Sequence, residues 1–165
     1  MTVAKAHRFP VALRRHEHGS VRIKAPGKPE LLAATPPEFR GTHEGQWSPE
    51  ELLGASVASC FAVTLDAVAE HMGVPLRDVD IRTSTNVERM DGRYVVTHVD
   101  VTAIVETDPG HVERVREAAE QAERRCLITG ALECPVRIRV DAGASPTKSA
   151  SGSAGGMTTS SGRKR

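Results

Sequence analysis

The apolar positions along this chain switch between a two-residue period and a helical one, and each switch predicts an element. Residues 7–25 alternate loosely, with Val11 and Leu13 before His18-Gly19-Ser20 and Val21 and Ile23 after it. That pattern predicts a hairpin. Residues 26–47 hold Pro26, Pro29, Pro36, Pro37 and three glycines, which predicts a long loop of the kind that often carries function. At Ser48 the period becomes helical. Ser48 suits an N-cap, Pro49 suits the first helical position, and Glu51 completes a capping box. The helix is predicted to run to about Met72, where Gly73 and Pro75 stop it.

Residues 79–89 and 93–106 predict a second hairpin around Asp91-Gly92. In its second strand Val99, Val101, Ala103 and Val105 share one face, and His98, Asp100 and Thr102 share the other. Asp108-Pro109 opens a second helix. Val112, Val115, Ala119, Ala122 and Cys126 recur at alternating steps of three and four, a stripe that faces a core. Leu127 to Leu132 reads as a short helical turn, and Val136, Ile138 and Val140 as a last strand. The order β-β, long helix, β-β, long helix, β predicts an α+β domain with antiparallel sheets packed on two long helices. From residue 143 to 165 the chain is rich in Gly, Ser and Thr, with a basic end. That composition predicts a disordered tail beyond a domain of residues 1–142.

Composition narrows the classes. With 165 residues there is room for one domain. Aromatics are only 3%, so the core must be aliphatic. The formal net charge is +1, and Lys148, Arg163, Lys164 and Arg165 all lie in the tail. Without those four, residues 1–147 stand at −3, which gives no reason to expect nucleic acid as a partner. No uninterrupted apolar run approaches the ~20 residues of a membrane span. Charges stand where a secretory leader would be apolar, so no membrane association is expected and the expected location is cytoplasmic.

The candidate chemistry lies in the cysteines. There are three, Cys60, Cys126 and Cys134, with no Cys-x-x-Cys spacing. An odd set in a small domain argues against a disulfide framework and for a free thiol. A helical cysteine is usually a small buried hydrophobe, whereas a reactive one needs a neighbour that stabilises the thiolate. Cys60 lies too far into its helix for the macrodipole to help. Arg40, in the loop before the helix, is the best-placed cation, and Glu50 is its natural bidentate partner. Ten helical residues span ~15 Å, so Glu50 cannot lie beside Cys60 on one straight helix. If both serve one site, a second subunit supplies one of them. The small residues Gly54, Ala55, Ser56, Ala58 and Ser59 would admit a close approach by that copy. His43 could line the same site. The spacing of the cysteines and histidines fits no standard zinc pattern.

Ser48-Pro-Glu-Glu-Leu-Leu-Gly-Ala-Ser-Val-Ala-Ser-Cys60-Phe resembles the first signature of the OsmC/Ohr family of thiol peroxidases. Cys126-Leu-Ile-Thr-Gly-Ala-Leu resembles that family's second cysteine motif, and Arg40 matches the arginine of its OsmC-like branch. The resemblance covers residues 10–141 or so. It implies an OsmC-like α+β fold built as an intertwined homodimer with sites at the interface. It further implies reduction of organic hydroperoxides, with Cys60 peroxidatic, Cys126 resolving, and Arg40 with Glu50 as the activating pair. A Cys60 sulfenic acid would condense with Cys126 to a disulfide. An external dithiol, such as a lipoylated protein, would reopen it. That chemistry requires no metal or organic cofactor. Val57, Phe61, Val63 and Leu65 are expected as an aliphatic wall suited to alkyl or lipid hydroperoxides. Cys134 has no counterpart in the family pattern and is expected to pack at the start of the last strand. The competing reading is a non-catalytic, stress-related binding protein of the same fold, with inert buried thiols.

Overall fold

The computed structural model describes residues 6–143. Strands β1 (Ala12–Glu17), β2 (Ser20–Lys24) and β3 (Leu31–Ala34) form one antiparallel sheet in that order. Strands β4 (Asp78–Met90), β5 (Arg93–Glu106) and β6 (Val136–Gly143) form the other. Helices α1 (Pro49–Met72), α2 (Val112–Arg125) and the short α3 (Leu127–Ala131) pack on the second sheet. The α+β class holds.

The start of α1 is fixed by the predicted reciprocal cap. The Glu51 N–H donates to Ser48 Oγ at 3.0 Å, and the Ser48 N–H donates to Glu51 Oε2 at 2.7 Å. Ser48 is buried, so these two bonds satisfy groups that water cannot reach. Gly73 ends the helix in left-handed backbone (φ 62°), and the Val74 N–H reaches back to Ala69 O. The β4–β5 turn places Asp91 and Gly92 both at positive φ, the backbone a two-residue hairpin turn demands.

The core follows from those elements. Phe61, Leu65 and Val68 of α1 meet Val115, Ala118, Ala119 and Ala122 of α2 over Ala103 and Val105 of β5. Val57 packs with Val99 and Val101 in an adjoining cluster. Each large side chain buried this way contributes about 1.5–3 kcal/mol. Helix and sheet approach closely at Gly54. A Cβ there would meet Thr83 Oγ1 at 2.9 Å and Thr85 Oγ1 at 3.2 Å. Gly54 therefore serves helix-on-sheet packing within the chain.

The structure differs from the sequence expectation in four places. The segment 26–47 is not wholly loop. Leu31–Ala34 pairs with β2, and Pro37–Phe39 makes a 3₁₀ turn. Four residues between prolines carry too short a period to register as a strand, and it is pairing with β2 that creates one. The second sheet is not purely antiparallel, because β6 runs parallel to β5. A parallel return needs a long crossover, and α2 with α3 provide it. The last strand reaches Gly143, one residue past the predicted domain limit. The predicted tail from residue 144 lies outside the described residues. Finally, α1 is long and apolar enough to cross a membrane by length and composition, although its carboxylates interrupt any literal apolar run. In this chain it is a core helix with 33% of its most apolar stretch buried.

Candidate thiol site

Cys60 lies midway along α1, packed at the margin of the main core. Cys126 is the residue between α2 and α3, with extended backbone (φ −66°, ψ 113°), and is 3% exposed. The crossover thus lays the second cysteine against the first. Cys126 is buried in the core cluster against which Cys60 packs, and it is one of the neighbours that lower the Cys60 thiol.

Three further groups act in the same direction. The backbone N–H groups of Ile128 and Leu127, the opening residues of α3, lie near the Cys60 sulfur and lower its thiol, as does the Thr64 side chain. Thr64 Oγ1 also lies 2.7 Å from Cys60 O, the back-bond common for threonine in helices. Burial is the largest single influence on Cys60 and pushes its thiol up. The four neighbours together outweigh it, led by Ile128 N–H and followed by Cys126, Leu127 N–H and Thr64. The thiol therefore lies below its ordinary value of 9.0.

The sequence reading sought a cation for this role, and the groups found are backbone amides and neutral side chains. Residue type does not reveal a backbone amide. The usable signal was the short helical turn directly after Cys126, whose first N–H groups have no partner of their own. Thr64, four residues from Cys60, was also missed.

Arg40 and Glu50 lie elsewhere in the chain. Arg40 is exposed and adopts left-handed backbone (φ 64°) at the end of the 3₁₀ turn. Its loop is held by Phe39, whose ring stands 4.6 Å from that of Tyr94. Glu50 has one carboxylate oxygen, Oε2, buried with no hydrogen-bond partner among the described residues. The ion pairs of the described residues do not join Arg40 to Glu50. Glu50 borders a cleft of about 810 Å³ lined also by Phe39, His43, Trp47 and Val87. A second trough, of about 590 Å³, shares Glu50 and Trp47 and follows α1 as far as Ser59. Neither cleft is lined by Cys60.

Of the predicted aliphatic wall, Val57, Phe61 and Leu65 are fully buried in the core. They belong to the helix face that meets the sheet, so they cannot meet a substrate. Val63 is 65% exposed, and Leu127, whose N–H lies near the Cys60 sulfur, is 76% exposed. Half-buried Cys134 packs against the cluster of Val57, Val99 and Val101, beside the start of β6. Among the described residues no group of His, Cys, Asp and Glu is arranged to hold a metal.

The family model for OsmC-like proteins matches residues 41–141, a span that contains Glu50, Cys60 and Cys126. The chain belongs to the OsmC-like family. Peroxiredoxin OsmC of Escherichia coli (strain K12) is 21% identical over 110 residues, covering 66% of this chain and 77% of that protein. YmaD of Bacillus subtilis (strain 168) is 24% identical over 111 residues, covering 65% and 73%. Among solved structures, an OsmC-like protein from Vibrio cholerae superposes with a TM-score of 0.72 at 15% identity, covering 82% of this chain and 99% of that one. An organic hydroperoxide resistance protein OsmC from Legionella pneumophila gives 0.69 at 20% identity, covering 84% and 98%. At these identities the structural likeness establishes that this OsmC-like chain shares their fold.

Proposed function

We propose that this OsmC-like chain is a cysteine peroxidase that reduces organic hydroperoxides to alcohols. The observation that carries the reading is the Cys60–Cys126 pair. A thiol is held below its ordinary value by four neighbours, and one of those neighbours is itself a thiol. The reading is also supported by similarity to a peroxiredoxin and to hydroperoxide resistance proteins.

The chemistry balances within the pair. The Cys60 thiolate attacks the distal peroxide oxygen. The O–O bond breaks, an alkoxide leaves and takes up a proton, and Cys60 becomes a sulfenic acid. The Cys126 sulfur then attacks the Cys60 sulfur, and the hydroxyl leaves as water with the proton Cys126 releases. An external dithiol, for which a lipoyl group is our candidate, exchanges with the bond and restores both thiols as it is oxidised. Val63 and Leu127 give the exposed side of the site an apolar border, which favours alkyl over hydrogen peroxide. A reducible thiol pair of this kind suits the cytoplasm.

The active unit is a homodimer in this proposal, with Arg40 and Glu50 completing the site across the interface. Three observations support it. Glu50 has a buried oxygen in want of a donor. Arg40 holds a backbone conformation that is costly for a non-glycine residue, a feature concentrated at functional sites. Part of α1, including Val63 at 65% exposure, is uncovered within one chain.

The test is consumption of cumene hydroperoxide by the reduced protein, with dithiothreitol and dihydrolipoamide as alternative donors. Wild type should turn over and Cys60→Ser should not, and Cys126→Ser treated with peroxide in the absence of any dithiol should form no intramolecular disulfide. No turnover by wild type with either donor defeats the proposal. For the dimer, mixing Cys60→Ser with Glu50→Ala chains should recover activity that neither has alone.

A further inference from the structure

Cys126 occupies the cap position of α3, yet its side chain caps nothing. A cap residue ordinarily turns its side chain back to accept from the second or third N–H of its helix. Here the relationship is reversed. The side chain of the third helical residue, Thr129, donates from Oγ1 to Cys126 Sγ at 3.1 Å. The Leu127 and Ile128 amides of the same helix lie near Cys60 and lower its thiol. The Thr129 hydroxyl thus donates to the sulfur of the residue that neighbours Cys60. Thr129 is half-buried, so its hydroxyl is partly shielded from competition by water.

We infer that Thr129 is a positioning residue for the step that closes the Cys60–Cys126 bond. Its hydroxyl fixes the direction of the Cys126 sulfur toward Cys60 and stabilises the charge that builds on that sulfur as its proton leaves. The inference rests on the proposed pairing of the two cysteines, but not on a peroxide as the natural oxidant.

Diamide separates the two questions, because it closes vicinal thiols without a peroxide. The Cys60 thiolate adds to the diazene, Cys126 displaces the resulting hydrazine, and the dithiol is oxidised as the diazene is reduced. The full-length reduced protein is mixed with excess diamide, and adduct formation and bond closure are resolved by quenched mass spectrometry. For Thr129→Val, closure should slow roughly three- to tenfold while adduct formation changes little, and Thr129→Ser should restore the wild-type closure rate. Closure at the wild-type rate in Thr129→Val overturns the inference. So does equal slowing in Thr129→Val and Thr129→Ser, which would assign the effect to packing. Should the valine variant not fold, Thr129→Ala against Thr129→Ser makes the same comparison. If peroxide turnover is absent but diamide closure behaves as stated, the function proposal fails and this one stands.

Discussion

Cys126, at the junction of α2 and α3, neighbours Cys60 of α1 and lowers its thiol. In the proposed mechanism that neighbour is also the partner in bond formation. No movement of a distant segment is needed to bring a second thiol into the site.

The lowered Cys60 thiol has a pH consequence with a definite sign. An acid whose folded value lies below its unfolded one leaves the folded state with fewer bound protons between the two values. The resulting stability is fully present above 9.0 and is lost as pH falls through the folded value. Iodoacetamide should therefore alkylate Cys60 with a midpoint below that of a free cysteine. In Cys60→Ser the rise of stability with pH through that window should shrink. A Cys60 midpoint at or above 9.0 would contradict the donor arrangement.

Cys134 should be dispensable for the chemistry. It packs against the cluster of Val57, Val99 and Val101 and is not among the groups that lower the Cys60 thiol. Cys134→Ala should keep peroxide turnover within about twofold of wild type and lose under ~2 kcal/mol of stability on denaturant unfolding. Loss of disulfide formation in this variant would place Cys134 in the mechanism.

Much of the fold was legible because its signals are local. The Ser48 cap, the Gly73 stop and the Asp91-Gly92 turn each depend on a few adjacent residues. What was missed depends on partners distant in sequence. Strand β3 exists through β2, and the parallel pairing of β6 exists through the crossover. The two cysteines could be named from residue type and motif. The amides of Leu127 and Ile128 could not, because every residue carries one. Net charge also concealed a grouping. Arg14, Arg15, Arg22 and Lys24 line one groove on the β1–β2 hairpin although the whole chain is close to neutral.

Gly54 should resist substitution. A valine there must push Thr83 and Thr85 aside, and Thr85 Oγ1 already donates to Glu50 O at 2.9 Å. Gly54→Val should cost roughly 2–3 kcal/mol on denaturant unfolding, despite valine's better helix propensity. A variant of wild-type stability would show that helix and sheet do not approach this closely.

Ser48→Ala removes an acceptor at a buried helix start and should cost about 1–2 kcal/mol, with Ser48→Asp recovering most of it. Equal losses in both variants would point to lost packing instead of a lost cap.

The parallel pairing of β6 with β5 also orders events in time. Proteins are synthesised from the N-terminus, so α1 and its thiol emerge long before α3, and the strand that anchors α3's far end emerges after both. Until α2 and α3 have emerged, neither Cys126 nor the two amides can pack against Cys60. On the proposed mechanism, a nascent chain that stops before them carries Cys60 without the neighbours that lower its thiol and without its resolving partner. The thiol would then acquire its chemistry only once synthesis has passed the crossover.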